Sequence, residues 1–264
     1  VLGIVYVAGS STLMPGNVDA GHGLFALTSC GATAIGKVPF ARWDAEAWRA
    51  SLSELSFLRT LHGGFMDTGS IACLDNRAFG ISAAETAAMD PQQRLLLEHG
   101  YCALHSGRHT RAQLLGSLTG VFLGIAATEF GAILAKKEDM NVYAATGSSL
   151  SIASGRISFV LGLHGPCISF DTACSAALSA CHSGVRALQL NESHLGLAAG
   201  VNLMLAPNTG ASFAVAGMTS PSGCSHTFDA RADGFVRGEA CGAIVLNRCN
   251  PLELAISVEG SAIR

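Results

Sequence analysis

Of the nine cysteines in the chain, Cys174 has the position best suited to chemistry. A β-branched and aromatic run from Cys167 to Phe170 leads through a short polar segment to Cys174, and small residues with helical spacing begin at Ser175. The pattern predicts a turn from a strand to a helix. A thiol at such a turn faces the free N–H groups and the positive end of the helix dipole, which stabilise the thiolate. Cys174 is therefore the candidate nucleophile, and the other cysteines are expected to be buried packing residues.

The helix after Cys174 is predicted to bury small side chains near its start. Helical spacing gathers one set of residues on the face expected to be buried: Ala177, Ala180, Cys181, Gly184, Val185 and Leu188. The opposite face is predicted to carry Ser179, His182, Ser183, Arg186 and Gln189. Because small side chains permit a close approach, this helix should bring Cys174 into the middle of the molecule.

Other segments alternate between strand and helix patterns. Apolar runs predict strands over 1–8, 120–125, 195–205, 241–247 and 254–258. Asp90 before Pro91, with Gln93 as a capping-box partner, predicts a helix from 91 to about 104. A loop and short helix are expected over 146–154 and a helical piece over 211–216, while 21–61 should form a cap anchored by Trp43 and Trp48. The alternation is typical of a layered α/β fold.

Composition limits the possible functions. The 264 residues suffice for one large domain, with 49% hydrophobic and 13% charged residues. A net charge of −3 and the lack of a basic block argue against a nucleic-acid partner. The opening residues lack a basic region and read as a strand, not a signal peptide. The uncharged stretch between Glu192 and Asp229 is interrupted by polar residues and Pro207, so it predicts buried strands and no membrane span.

The remaining chemical patterns are weak. The cysteines have an odd count, irregular spacing and no CxxC pair, which favours an intracellular, reducing compartment. The nine histidines follow no recurring catalytic pattern, and none is a convincing base. Cys102 with His105, and Cys224 with His226, lack a second pair at metal-ligand spacing, so no metal site is predicted. No motif of the hydrolases or nucleotide-binding proteins is present.

One further cluster of charges lies near the end of the chain. Asp233, Arg237 and Glu239 could form a carboxylate–arginine group. Hydrogen bonds between arginine and carboxylate that hold a loop together explain this cluster better than direct catalysis does.

The run GPCISFDTACSAAL at 165–178 resembles the active-site segment of the β-ketoacyl synthases, which are condensing enzymes of fatty-acid and polyketide synthesis. Further segments resemble the same family in the same order: KVPFARWD at 37–44, HGGFMD at 62–67, AFGISAAETAAMDPQQRLLLE at 78–98, YAATGSSLSIASGRISF at 143–159, AGVNLMLAPNT at 199–209, AGMTSPSGCSHTFDA at 216–230 and ADGFVRGEACGAIVL at 232–246. AMDPQQR and FDARADGFVRGE resemble the large multidomain synthases more than the small stand-alone type. The chain departs from the family at Met14, Gly155 and Ala240, where arginine, asparagine and glycine are usual.

The resemblance implies a thiolase-like fold of αβαβα layers. Residues 1–264 would form the N-terminal half and the start of the second half. The chain would be truncated before the main part of the family's C-terminal half. It implies that Cys174 accepts an acyl group from the phosphopantetheine arm of an acyl carrier protein, and that a decarboxylated malonyl thioester then attacks that acyl group. The backbone N–H of Cys174 would form the oxyanion hole with an N–H from the second half. No bound cofactor is implied. A homodimer is expected, with the strand before Cys174 paired to its two-fold mate.

The same resemblance places two histidines and a lysine, used for decarboxylation, in the second half. The chain alone is therefore expected to be inactive in condensation. Two alternatives are a non-catalytic ketosynthase-like subunit and a thiolase-type acyl-CoA condensing enzyme. Cys174 argues against the first, because such subunits usually lack the nucleophile, and the AMDPQQR and RADGFVRGE strings argue against the second. The sequence leaves open whether the product is a polyketide or a fatty acid.

Overall fold

The computed structural model describes residues 3–16, 18, 21–126, 129–136, 142–248 and 256–263. These residues form two compact units. The first unit combines the residues up to Leu13 with Cys73–Asn202 and those from Cys241 on, and the second combines Met14–Ala72 with Leu203–Ala240. Within the described part of the chain, no helix has the length and apolar character needed to cross a bilayer.

The strands of the two units are, in chain order, β1 (Val5–Leu13), β2 (Ile35–Lys37), β3 (His62–Gly64), β4 (Thr119–Gly124), β5 (Cys167–Phe170), β6 (Leu195–Asn202), β7 (Ala240–Asn247) and β8 (Ile256–Val258). The α-helices are α1 (Gly21–Ser29), α2 (Glu54–Leu58), α3 (Thr68–Ala72), α4 (Ala83–Ala88), α5 (Pro91–Ser106), α6 (Arg111–Leu114), α7 (Glu129–Leu134), α8 (Ala144–Gly147), α9 (Leu150–Leu161), α10 (Ala176–Gln189) and α11 (Pro207–Val215). Two 3₁₀ helices cover Glu46–Ser51 and Ala173–Ser175.

The first unit is built on a six-stranded sheet with the order β5-β4-β6-β7-β1-β8. Strand β4 runs parallel to β5 and β6, whereas β1 runs antiparallel to β7 and β8. Successive residues of β6 point to opposite faces: Ala198 packs with Val185 of α10, and Leu197 lies beside Gly100 of α5. Helix α9 packs on β4 and β5. The sheet therefore lies between helical layers, which confirms the predicted α/β layered fold.

The predicted strands are largely confirmed. Strand β5 has the predicted bounds, and β4, β6 and β7 lie within two or three residues of theirs. The opening strand begins later than predicted and continues to Leu13, and only Val5 in it is fully buried. Its length follows from its antiparallel ladder with β7, which extends to the pair Leu13 and Cys241. Residues 1–2 and 254–255 of the predicted strands lie outside the described residues.

Helix α5 begins at the predicted cap. The Asp90 carboxylate accepts a hydrogen bond of 2.8 Å from the Gln92 N–H, and Pro91 is the first helical residue. The predicted capping-box role of Gln93 is wrong, because its side-chain amide donates to two carbonyl oxygens at the end of α8 and the start of α9. The Asp90 N–H donates instead to the Gly147 carbonyl, at 2.9 Å. Partners more than 50 residues away in the chain have replaced the local one.

The second unit contains the two-stranded sheet of β2 and β3 and a buried ion pair. Glu239, whose side chain is fully buried, accepts hydrogen bonds from Arg42 Nη2 at 2.9 Å and from the Met66 and Met204 N–H groups at 2.7 and 2.9 Å. Burial raises the pKa of this carboxyl. The arginine that binds Glu239 in the structure is thus Arg42, whereas the sequence suggested the neighbouring Arg237.

The predicted cap over 21–61 contains helices and irregular segments, as expected, but it also contains strand β2, which the sequence did not predict. Trp43 and Trp48 are both half-buried. Trp43 packs edge to face on Phe65, with 5.8 Å between ring centroids, so it anchors this segment as predicted.

Candidate active site at the turn after strand β5

Cys174 lies at the turn that joins β5 to α10, as the sequence predicts. Strand β5 ends at Phe170, a 3₁₀ turn covers Ala173–Ser175, and α10 starts at Ala176. Ala173 has a φ of 53°, in the left-handed region. A residue with a side chain is disfavoured there by about 1–2 kcal/mol, so the turn must be held by contacts elsewhere.

The turn leaves the thiol of Cys174 exposed and gives its backbone N–H no acceptor among the described residues. The neighbouring N–H groups are engaged: Ala173 donates to Asp171 Oδ1 and Ser175 to the Thr172 carbonyl, each at 3.3 Å. A thiol beside a free N–H can form a covalent bond to a carbonyl carbon and donate to the oxygen that becomes negative.

Two glycines allow the start of α10 to approach the sheet closely. Gly124 and Gly200 are paired at the ends of β4 and β6. A Cβ atom on Gly124 would lie 2.3 Å from the Ala177 nitrogen, and one on Gly200 would lie 2.7 Å from the Ala177 Cβ. The helix therefore contacts the strands through backbone, which confirms the predicted close approach and places Cys174 at the carboxyl edge of the sheet. The Cys174 side chain is exposed there, so among the described residues it does not lie in the middle of the molecule as predicted.

The predicted faces of α10 are wrong at two positions. Ala177 is exposed, because it lies at the end of the strands, where the glycines have no side chains to surround it. Ser179, assigned to the polar face, is only 8% exposed. Its hydroxyl lies 3.2 Å from Thr172 Oγ1 in the turn. Helical periodicity could not have found this contact, because it concerns a residue outside the helix.

Two histidines of the first unit hydrogen-bond to groups other than the Cys174 thiol. His164 precedes β5, and its N–H donates to the Ser117 carbonyl at 2.8 Å. It is thus at the amino end of a strand about 13 Å long, whereas Cys174 follows the carboxyl end. His182 bonds to Ser261 through Nδ1, at 2.9 Å. None of the described histidines hydrogen-bonds to Cys174, and the described residues contain no group of three or more potential metal ligands.

The expectation that the other cysteines are packing residues is wrong. Several are exposed besides Cys174: Cys30, Cys73, Cys102, Cys167 and Cys224. Cys241 is buried, and burial raises the pKa of its thiol to about 12. Burial also raises the pKa of the Cys181 thiol. Exposure alone therefore does not distinguish Cys174, and its place at the turn does.

Strand β5 is an edge of the sheet. It pairs with β4 on one side only, and Cys167 and Ile168 are exposed, with Ile168 at 43%. An open cavity of about 350 Å³ runs beside it, lined by α9 and by β5 up to Asp171. Inside this cavity the Ser169 hydroxyl donates to Ser154 at 3.0 Å. A free edge of this kind is a template for pairing with another strand.

A layered α/β unit with a cysteine at the turn from a strand to a helix fits the class of thiolase-like folds. The model of the family "Beta-ketoacyl synthase, N-terminal domain" matches residues 4–251. The chain belongs to this family.

Curated relatives are components of large synthases. The chain is 40% identical over 266 aligned residues to one component of the phenolphthiocerol/phthiocerol polyketide synthase of Mycobacterium tuberculosis, covering 98% of this chain and 17% of that protein. It is also 40% identical over 249 residues to a mycocerosic acid synthase-like polyketide synthase of Mycolicibacterium smegmatis, covering 92% of this chain and 12% of the relative. The chain thus spans less than a fifth of the length of these relatives.

Solved ketosynthases have the same fold. The ketosynthase from module 6 of the bacillaene synthase of Bacillus subtilis 168 superposes with a TM-score of 0.83 at 33% identity, covering 93% of this chain and 40% of that one. An oxazolomycin ketosynthase domain from Streptomyces albus JA3453 superposes with a TM-score of 0.81 at 26% identity, covering 93% and 42%. These matches confirm the thiolase-like architecture for the described part of the chain.

Proposed function

We propose that the chain carries the nucleophile of a polyketide synthase ketosynthase, and that Cys174 is the residue that accepts the growing acyl chain. The observation that carries this proposal is the exposed thiol at the turn after β5, beside an N–H without an acceptor among the described residues. Family membership and the polyketide synthase relatives agree with it.

The acylation step follows from the chemistry of thiols. The Cys174 thiolate attacks the thioester carbonyl of an acyl group on a phosphopantetheine arm, so a new carbon–sulfur bond forms. The tetrahedral intermediate collapses as the phosphopantetheine thiolate leaves and takes a proton. Since one thioester replaces another, the step is nearly balanced in energy, and a thiolate both attacks and leaves well.

The backbone N–H of Cys174 is the donor that this chain would supply to the oxyanion. As the carbonyl carbon becomes tetrahedral, the charge on its oxygen grows, and a donor fixed near that oxygen stabilises the transition state more than the substrate. The second donor, by resemblance to the family, would come from residues beyond this chain.

Condensation requires further groups. Loss of carbon dioxide from a malonyl-type thioester on the acyl carrier protein leaves an enolate, whose carbon attacks the acyl thioester on Cys174 and releases the cysteine thiolate. The described residues place no histidine on Cys174, and the chain covers about 40% of the ketosynthase structures it matches. We therefore assign acylation to residues 1–264, and decarboxylation to the histidines and lysine that the family carries in its second half. The odd number of cysteines and the lack of a CxxC pair favour a reducing compartment, so we expect an intracellular location.

Strand β5 would form a homodimer interface. Its free edge can pair antiparallel with the same strand of a second copy, which makes an isologous contact. The helices that pack on β5 carry exposed apolar side chains, Phe159 of α9 at 88% and Leu178 of α10 at 75%, which are candidates for burial in such an assembly. Sedimentation of the complete ketosynthase should report a dimer. A monomer at micromolar concentration would contradict the interface.

Acylation can be tested directly with a short acyl thioester of N-acetylcysteamine. Brief incubation followed by peptide mapping should place the added acyl mass on Cys174 before any other cysteine. Cys174→Ala should abolish the rapid phase. Cys167→Ala is the matched control, because Cys167 is also exposed and lies before the turn; this variant should retain the rapid phase. Faster labelling of Cys167 or Cys181 than of Cys174 would overturn the proposal.

The proposal that residues 1–264 carry out acylation but not decarboxylation can be tested separately. Residues 1–264 expressed alone should release no carbon dioxide from a malonyl carrier protein and form no condensation product, since nothing in them is assigned to stabilise the enolate. Condensation at the rate of a complete synthase would require a base within this chain.

A further inference from the structure

We propose that Thr172 and Ser179 are positioning residues for the nucleophile, because their hydroxyl groups fasten the turn that carries Cys174 to the buried side of α10. The inference rests on the proposed role of Cys174. It assigns a task to a serine that helical periodicity had placed on the polar face.

The hydroxyl groups form a short chain of contacts. Ser179, 8% exposed, lies with its Oγ 3.2 Å from Thr172 Oγ1. The Ser175 hydroxyl donates to the Thr172 carbonyl at 2.8 Å and lies 2.9 Å from Thr172 Oγ1. The carbonyl and the hydroxyl of Thr172 therefore both contact Ser175 in the turn, and the hydroxyl also contacts Ser179 within α10.

This fastening acts where the backbone is strained. Thr172 directly precedes Ala173, which has a φ of 53°. A left-handed conformation persists at a residue with a side chain only when the surrounding contacts fix it. Because Ser179 is on a helix held against the strands at Gly124 and Gly200, its hydroxyl links the strained turn to a rigid part of the unit.

The direction of the Cys174 side chain and of its N–H depends on this turn. The dihedral angles of Ala173 and Cys174 set where both groups point. If Thr172 is released, the turn can sample other conformations, and the thiol and oxyanion donor meet a carbonyl group less often in the productive geometry. The effect should fall on the rate of acylation and leave the binding of the acyl donor unchanged.

The test compares acylation of Cys174 by the N-acetylcysteamine thioester across variants of the full chain. Thr172→Val keeps the side-chain shape and Ser179→Ala keeps the helix, and each removes one hydroxyl. We expect each to lower the maximal acylation rate about fivefold, the factor that a typical net hydrogen bond represents, at an unchanged half-saturating donor concentration. The double variant should be no slower than Thr172→Val alone, because Thr172→Val already removes the contact that Ser179→Ala removes.

Matched controls separate positioning from general damage. Thr172→Ser retains the hydroxyl and should stay within about twofold of the unmodified rate, given the small cost of an exposed methyl group. Ser183→Ala removes a serine one turn further along α10 whose hydroxyl bonds to no described residue, and it should leave the rate unchanged.

Two results would overturn the inference. Single variants that acylate at the unmodified rate would do so, and so would a double variant whose loss is the product of the two single losses. If the unmodified chain is not acylated at Cys174, the proposed function itself fails. Alkylation of Cys174 by iodoacetamide then still tests whether the turn directs the thiol. Thr172→Val and Ser179→Ala should each change the alkylation rate, and rates equal to that of the unmodified chain would refute the positioning role.

Discussion

Replacement of Gly124 by alanine is expected to disturb the turn that carries Cys174, because the new side chain would meet the start of α10. The new Cβ would lie 2.3 Å from the Ala177 nitrogen and 2.5 Å from the Ala176 carbonyl carbon. Both are backbone atoms of the first turn of α10, so no side-chain rotation can relieve the clash. Either the end of β4 or the start of the helix must move.

The size of the effect follows from these distances. Ordinary carbon contacts are about 3.5–4.0 Å, so relief requires a backbone shift of roughly 1 Å. Overpacking of this kind costs typically about 1–3 kcal/mol of unfolding free energy. Because Ala177 is three residues after Cys174, the shift should also displace the thiol, and a misplacement of about 1 Å at a reacting group can slow a reaction about a hundredfold.

The assay pairs urea denaturation with the acylation rate of Cys174. Gly155→Ala is the matched control: Gly155 is inside α9, and a Cβ there meets nothing within 4 Å. Since alanine favours a helix interior over glycine, the control should gain about 0.5–1 kcal/mol. Gly124→Ala should lose stability and acylate at least about tenfold more slowly than the control.

A Gly124→Ala variant that kept both the stability and the acylation rate of the unmodified chain would contradict the predicted clash with α10. That result would mean that α10 can retreat from β4 without moving Cys174. A loss of stability with unchanged acylation would separate the packing of the helix from the position of the thiol.

Three further changes test the buried contacts. Ala173→Gly should raise the unfolding free energy by about 0.5–1 kcal/mol, since glycine removes the left-handed strain but gains entropy when unfolded; a loss of stability would contradict this. Burial raises the pKa of Asp90 from 3.8 to about 6, so the folded state binds a proton at this carboxyl more tightly than the unfolded state does. The resulting gain in unfolding free energy, about 3 kcal/mol, is fully present below about pH 4 and is lost as pH rises towards 6. Asp90→Asn keeps a cap and should flatten this dependence in denaturation curves across that range. Glu239→Gln should cost about 3–5 kcal/mol, because Arg42 remains charged and buried. In the same urea titration, Glu46→Gln in an exposed pair with Arg49 should leave the midpoint nearly unchanged.

Local patterns in the sequence determined the main elements of the site. The β-branched run before Cys174 and the small residues after it predict the bounds of β5 and the turn to α10, because strand and helix periods are properties of neighbouring residues. The Asp90–Pro91 cap predicts the start of α5 for the same reason. Resemblance to a family added the role of Cys174, which stays a proposal.

Tertiary structure decided which polar groups meet. The Gln93 side chain donates to carbonyl oxygens 53 and 56 residues away and does not cap its own helix. Glu239 accepts a hydrogen bond from Arg42, which is 197 positions away in the chain. Ser179 is buried and contacts Thr172, which lies in the turn outside its helix. A periodic pattern reports only which side of an element is apolar, whereas a buried polar group must find a partner wherever the fold brings one within hydrogen-bond distance. For that reason the sequence determined where Cys174 lies, and only the folded chain decided what holds it there.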